Sequence, residues 1–439
     1  MRQRSDGHDV HVNTTGCNLK VVVVGGGSTY TPELIEGFAS RSHGFVVDDL
    51  VLLDVDAERL AIVGGLAGRM LDRTGWGGRL VLSTTRDAAL EGADFVLLQI
   101  RVGGQATRLI DETLPLRFGA IGQETTGPGG FAKALRTVPV VLDIAEAARR
   151  LAAPGAWIVD FTNPVGIVTQ ALLDGGHRAI GLCNVAIGLQ RWLAGRLGVP
   201  AEQVELEHSG LNHLSWERAV CVHGTDVLPS LIASDAAGLA AQVDSTEERV
   251  RALAAIPSYY LTYYDDTAGS LLAQRTGTSR AENVMAIEHD LLERYRDPNL
   301  AEKPKQLEER GGAFYSEAAV QLIASLHAGT GDTQVVDVRN AGALPGLADD
   351  DVVEVPARIT SDGAIPLPQA PLHPEMLALV RRVKAYERLT IRAALSGDRA
   401  LALEALSANP LVPEGVAPAL LDALLEANRT LLPRFYPGG

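Results

Sequence analysis

The chain has 439 residues, enough for two domains, and 46% of them are hydrophobic against 21% charged, the balance of a soluble protein with a real core. With 54 Asp or Glu against 39 Lys or Arg, its formal net charge of −15 argues against nucleic acid or an anionic membrane as partner. Any bound phosphate must then be met by a few local arginines or by backbone amides. The three cysteines, Cys17, Cys183 and Cys221, are too few and too scattered for a disulfide framework, which fits a reducing cytoplasm. No apolar run is long enough to span a bilayer. Met1–Asn18 is polar and lacks the apolar centre of a signal peptide, so it reads as a mobile tail without a chemical role.

From Leu19 to about Cys183 the pattern alternates strand and helix. Lys20–Val24 reads as the first strand and feeds the turn Gly25-Gly26-Gly27-Ser28-Thr29, after which a helix begins near Pro32. Leu50–Asp54 is the second strand, Arg79–Ser83 the third, Ala93–Gln99 the fourth, Trp157–Phe161 the fifth and Ala179–Leu182 the sixth. Helical periodicity covers Asp56–Leu71 and Phe131–Leu151. Short apolar strands between amphipathic helices imply a Rossmann-type doubly wound parallel sheet over residues 19–185. Residues 186–439 change character. Helices such as Glu282–Tyr295 and Leu372–Leu395 dominate, Trp216–Val222, Thr333–Val338 and Val352–Ile359 read as extended, and Gly342–Asp350 reads as a surface loop. This half is expected to be a mixed α/β, helix-rich domain holding substrate, metal and subunit contacts.

Ligands of doubly wound sheets lie beyond the carboxyl ends of the strands. The glycine turn lets a backbone approach a pyrophosphate at a helix N-terminus, although the third glycine of the common fingerprint is missing. Gly25, Gly27, Ser28 and Thr29 are its expected cofactor contacts, and Arg101 joins them from the end of the fourth strand. Asp54 ends the second strand at the distance expected for a carboxylate on the ribose hydroxyls, which favours NAD over NADP. The fifth strand ends in Thr162-Asn163-Pro164 and the sixth in Cys183-Asn184, so polar residues collect on one edge. Cys183 and His213 share no metal-binding spacing, and each reads more readily as a buried structural residue than as a ligand, although Cys183 stands at a strand's carboxyl end beside the expected nicotinamide. The loop Gly122–Gly130 reads either as a helix cap or as a substrate loop using its backbone amides. Tyr259, Tyr260, Tyr263 and Tyr264 read as packing, with one of them a base if a cation lowers its pKa.

The ordered motifs GGGSTYTPEL, QIRVGG, GQETTGPGG, FTNPVG, GLCN, GLNH and RAENVMAIE resemble the family 4 glycoside hydrolases, most of all their 6-phospho-β-glucosidase branch. That NAD-dependent family stands outside the two-carboxylate glycosidase scheme. The resemblance implies hydride removal from sugar C3, proton removal from C2, elimination at C1, water addition and hydride return. It implies a divalent metal, Mn²⁺, on Cys183 and His213; thiolate softness alone would suggest zinc or iron. It makes Tyr260 the base, with Tyr259 or Tyr263 as alternatives. Asn184 stands where α-specific relatives carry an aspartate acid, which favours β-linked substrates. Asn163 matches a residue near substrate and nicotinamide. Arg108 and Arg280 match positions suited to a 6-phosphate, with Arg101 a third. Val165 and Ala186 depart from the motif pattern and are expected to line the site and shift its preference.

The resemblance implies a phosphorylated β-glycoside as partner and a homodimer or homotetramer in the cytoplasm. Three other readings compete: a lactate/malate-type dehydrogenase, a family 4 glycosidase for non-phosphorylated or galacto-configured sugars, and a non-catalytic NAD sensor. The dehydrogenase would need an arrangement of histidine, aspartate and arginine that is not apparent in the sequence.

Overall fold

The protein was analysed as a computed structural model, which describes residues 19–39, 45–310 and 314–437. The expected tail, Met1–Asn18, lies outside the described residues. Strand β1 (Lys20–Val24) shows why a parallel core forms. Val21 and Val23 pack with Leu34, Ile35 and Phe131 on one face, while Val22 and Val24 pack with Val141, Ala145 and Val168 on the other. A strand buried on both faces needs helices on both sides of its sheet.

Strands β2 (Asp49–Leu53), β3 (Arg79–Ser83), β4 (Phe95–Leu98), β5 (Trp157–Asp160) and β6 (Ala179–Gly181) complete the parallel part. Their spatial order is 3-2-1-4-5-6, that of two mononucleotide-binding halves meeting between β1 and β4. The expected strands are all present, two of them with the expected bounds and the others with ends shifted by one or two residues. Asp56 caps the helix Ala57–Thr74 by accepting from Arg59 N at 3.0 Å, and Gly75 closes it at φ +66°.

Among the described residues the second half does not build a sheet of its own. Strands β7 (Val204–Leu211), β8 (Leu214–Val222), β9 (Thr225–Asp226), β10 (Ile256–Pro257), β11 (Thr333–Arg339), β12 (Val352–Thr360) and β13 (Gly363–Pro366) extend the first one antiparallel. The join is β11 on β6, with Asp337 opposite Gly181. A Cβ on Gly181 would come within 2.8 Å of Asp337 Cβ, so this junction takes no larger side chain. Among the described residues one continuous sheet of 13 strands therefore carries both halves. The tight β7–β8 hairpin places Asn212 and His213 between them, beside the carboxyl edge of the parallel strands. Among the described residues no helix is long and apolar enough to cross a membrane.

Candidate active site

A cleft of about 1910 Å³ runs along the carboxyl edge of the parallel strands. At one end the glycine turn is held by its neighbours. Gly25 N and Gly26 N donate to Leu53 O at 2.8 and 2.9 Å, and Gly27 N donates to Asp54 Oδ2 at 2.8 Å. Gly25 sits at φ +92°, and a Cβ there would meet the Gln99 carbonyl oxygen at 2.8 Å. The conformation therefore requires glycine. Asp54 Oδ1 also accepts from Asp56 N at 3.0 Å, yet a carboxylate has about four lone-pair sites, so acceptor capacity remains for ribose hydroxyls. Ser28 lines the cleft. Thr29 does not: it is fully buried beneath the turn, and its carbonyl receives the Tyr295 hydroxyl at 2.8 Å.

At the other end, Asn163, Asn184, His213, Tyr259, Tyr260 and Tyr263 line the cleft, with Cys183 buried beside them. His213 occupies the left-handed region at φ +63°. Its ring stacks on Tyr260 with centroids 3.6 Å apart and planes 13° apart, and Tyr260 stacks in turn on Tyr259 at 4.3 Å. Nδ1 of His213 lies 3.0 Å from Thr125 Oγ1, which leaves Nε2 as the nitrogen open to another partner. Burial pushes the His213 pKa down to about 4, so the ring is neutral at pH 7. Burial, then the negative charge of Glu354, holds the Cys183 thiol well above its ordinary range, and the Tyr315 hydroxyl hydrogen-bonds it. Burial also raises Tyr260, and the neighbouring Tyr259 and Cys183 raise it further. The Cys183 and Tyr260 shifts each oppose an uncompensated negative charge, and a bound dication would reverse them while holding His213 neutral. A neutral imidazole and a thiol, with the buried Asn163 Oδ1 lacking a hydrogen-bond partner among the described residues, form a donor set that fits a divalent metal. Among the described residues no three His, Cys, Asp or Glu side chains group to hold a metal. Two protein ligands leave positions for substrate oxygens.

Between the ends lies a knot of charge. Glu124 is buried and contacts Arg101 on one side, Lys133 Nζ at 2.7 Å and Arg108 Nε at 3.3 Å. Burial alone would raise its pKa, but the charges of Arg101, Lys133 and Arg108 outweigh it and hold the carboxyl well below its usual range. Lys133 is lowered to about 7 by burial and by Arg101. Arg108 Nε also donates to Glu112 Oε1 at 2.7 Å, and Glu112 Oε2 accepts from Ala281 N at 2.7 Å. That link brings Arg108 to the first turn of the helix Arg280–Tyr295, which the Ser279/Glu282 capping box opens. Arg280 donates to Glu309 O at 2.9 Å, and among the described residues no ion pair neutralises it.

The structure thus gathers Gly25, Gly27, Ser28, Asp54, Arg101, Arg108, Asn163, Asn184, His213, Tyr260 and Arg280 on one cleft, with Cys183 just beneath it. It separates the tyrosines: Tyr264 faces a different, small cavity. It corrects the expectation for Val165 and Ala186, which are buried and off the cleft wall; Val165 packs over Gly181 of β6. The loop Gly122–Gly130 contributes Gln123 and Glu124 side chains to the wall, beyond the backbone amides expected of it. Lys133, Arg310 and Tyr315 also line the cleft without having been singled out in the sequence. Tyr315 sits edge-on to Tyr30 and Phe161 at 6.2 and 5.6 Å. Nothing local marks it, because it reaches the site from a helix more than 130 residues after Cys183.

The chain matches the family model described as family 4 glycosyl hydrolase over residues 20–199 and that of the family's C-terminal domain over residues 208–412. It is 43% identical to the Bacillus subtilis (strain 168) protein named "Probable 6-phospho-beta-glucosidase", covering 95% of this chain and 98% of that one. It is 36% identical to the Escherichia coli (strain K12) 6-phospho-beta-glucosidase, covering 95% and 97%. The Thermotoga maritima 6-phospho-beta glucosidase, solved with manganese, NAD⁺ and glucose-6-phosphate, superposes with a TM-score of 0.88 at 36% identity, covering 94% of this chain and 99% of that one. From these matches along nearly its whole length, the chain belongs to family 4 of the glycosyl hydrolases.

Proposed function

We propose that this chain hydrolyses 6-phospho-β-glucosides, with NAD and a divalent metal, Mn²⁺, as cofactors. The reaction is transient oxidation at C3, deprotonation at C2, elimination at C1, water addition and re-reduction. The observation that carries it is one cleft joining a constrained glycine turn to a buried cysteine beside a stacked histidine–tyrosine pair. The Bacillus, Escherichia and Thermotoga relatives are named for this substrate class, and the Thermotoga structure holds both cofactors and a phosphorylated sugar.

When bound, NAD⁺ would supply a reversible hydride acceptor and Mn²⁺, held by Cys183 and His213, would supply a Lewis acid. The chain's own groups do the rest. The Gly25–Gly27 turn, its own amides committed to Leu53 and Asp54, has no side chain to keep the pyrophosphate from the backbone beside Ser28, and Asp54 receives the ribose hydroxyls. Arg101 supports the cofactor end and orients Glu124. Cys183 and His213 hold the metal. Tyr260 Oη takes the C2 proton once its own has been drawn off, which a dication beside it favours. Asn163 and Asn184 orient the sugar. Asn184 has no carboxylic proton to give, which suits β-linked substrates. Arg108 and Arg280 meet the 6-phosphate at a helix N-terminus, where the unneutralised guanidinium of Arg280 is available.

On this reading residues 19–185 are the cofactor domain, and residues 186–439 carry the metal histidine, the base and the subunit contacts. The assembly is a homodimer or homotetramer in the cytoplasm, where phosphorylated sugars and NAD are retained. The test is cleavage of p-nitrophenyl β-glucoside 6-phosphate with NAD⁺ and Mn²⁺ present. Nitrophenol released over many turnovers without accumulating NADH is expected. NADH formed in proportion to product would contradict the reading and favour a simple dehydrogenase.

A further inference from the structure

One hydrogen atom decides whether His213 can serve a metal. A neutral imidazole offers a lone pair from only one nitrogen, and the partner of the other nitrogen determines which. Here the assignment can be traced from the backbone outward. The amide side chain of Gln123 faces the backbone N–H groups of Thr125 and Thr126, the latter at 2.8 Å. Two N–H donors cannot point at an NH₂ group, so it is the Gln123 oxygen that faces them. Thr125 Oγ1 lies 2.8 Å from that same oxygen. Two oxygens so close need a hydrogen between them, and Gln123 Oε1 has none to give. The Thr125 hydroxyl therefore donates to Gln123, as does Thr126 Oγ1 at 3.1 Å. With its only proton committed, Thr125 Oγ1 can meet His213 Nδ1 at 3.0 Å only as an acceptor. The ring proton of His213 is on Nδ1, and Nε2 carries the free lone pair.

We infer that Gln123 and Thr125 are positioning residues that lock His213 as its Nδ1–H tautomer, so that Nε2 is ready to ligate a divalent metal. The inference rests on His213 being a metal ligand, as proposed above. The lock has a mechanical side. The 13° stack on Tyr260 fixes the plane of the ring, and a flip within that plane would carry Nδ1 away from Thr125 Oγ1, so the Thr125 contact decides which nitrogen faces which way. Thr125 is buried, which shields the relay from competing water. Partners that orient a metal-ligating histidine from its far nitrogen are worth about 10–100-fold in metal affinity.

The test titrates Mn²⁺ into the full, substrate-free chain and follows loss of the free-ion electron paramagnetic resonance signal. Thr125→Val keeps the shape but removes the acceptor, and is expected to weaken Mn²⁺ binding about 10–100-fold with NAD⁺ affinity unchanged. Thr125→Ser keeps the hydroxyl and is expected to restore the affinity. In the unaltered chain without metal, ¹⁵N imidazole resonances assigned with His213→Gln are expected to show His213 protonated on Nδ1. Thr125→Val binding Mn²⁺ as tightly as the parent, while Cys183→Ser binds it weakly, would overturn the inference and leave the ligand pair standing. If neither Cys183→Ser nor His213→Gln changed the affinity, the ligand reading would fall and the inference with it. An Nε2–H tautomer in the unaltered chain would overturn the inference even if the Thr125→Val protein did not fold.

Discussion

His208 is fully buried between two carboxylates. Its Nδ1–H donates to Glu217 Oε1 at 2.7 Å and its Nε2–H to Glu354 Oε2 at 2.9 Å. Glu354 Oε1 accepts from Asn212 Nδ2 at 3.2 Å, so the arrangement supports the residue preceding His213. Burial would lower the His208 pKa, but Glu217 and Glu354 outweigh it and raise it to about 10. An unfolded histidine titrates near 6.5. A folded pKa above the unfolded one means that the stabilisation is complete below about pH 6.5 and is lost as pH rises toward 10. The expected result is that urea midpoints of the chain and of His208→Gln differ most below pH 6.5 and converge between pH 6.5 and 10. A difference independent of pH would show that His208 is not held as a cation. None of this is legible in the sequence. His208 and Glu354 stand 146 positions apart and meet only because β12 lies beside β7. Cys183 and His213 were visible as residues, but spacing could not pair them; only the family-like motifs around them did.

At the scale of elements, the cleft depends on the angle between two helices. Helix Gly104–Thr113 carries Arg108 and Glu112, and helix Pro128–Leu151 carries Lys133. They are fastened by Arg136 and Asp111, both fully buried and paired through both guanidinium arms. Arg136 Nε also donates to Val102 O at 3.0 Å and Nη1 to Asn428 Oδ1 at 3.2 Å, tying in the C-terminal region. Removing one partner of such a pair leaves a buried charge without compensation, which costs about 3–5 kcal/mol. Arg136→Leu is therefore expected to lower unfolding free energy by about that amount in a denaturant titration. A loss under about 1 kcal/mol, the worth of an exposed pair, would contradict this account. The parallel strands and the glycine turn were readable because their signals are local: β-branched runs, glycine at a forced turn, aspartate at a strand end. The fastening is not readable, since an arginine and an aspartate 25 positions apart look like any surface pair until the fold buries them.

At the scale of the whole molecule, the continuous sheet accounts for how a dehydrogenase-like half can do the work of a hydrolase. Strand β11 joins the second half to β6 in register, so the β7–β8 hairpin brings His213 to the edge where β6 delivers Cys183 and Asn184. The helical segment after β10 brings Tyr260 over His213. The two halves therefore share one cleft, and a hydride removed at one point of the sugar remains within reach for its return. In a chain of net charge −15 the cleft wall is balanced, its lining carrying basic and acidic side chains in equal number, and Arg280, which no ion pair neutralises among the described residues, is available to a phosphate group.

The central claim is that the glycosidic bond breaks by elimination after proton removal at C2, and deuterium at that carbon reports on it directly. A 6-phospho-β-glucoside carrying deuterium at C2 would be turned over in ordinary water with NAD⁺ and Mn²⁺, and the released sugar phosphate analysed by mass spectrometry. Loss of the deuterium to solvent is the predicted result. Its complete retention in the product would contradict the account.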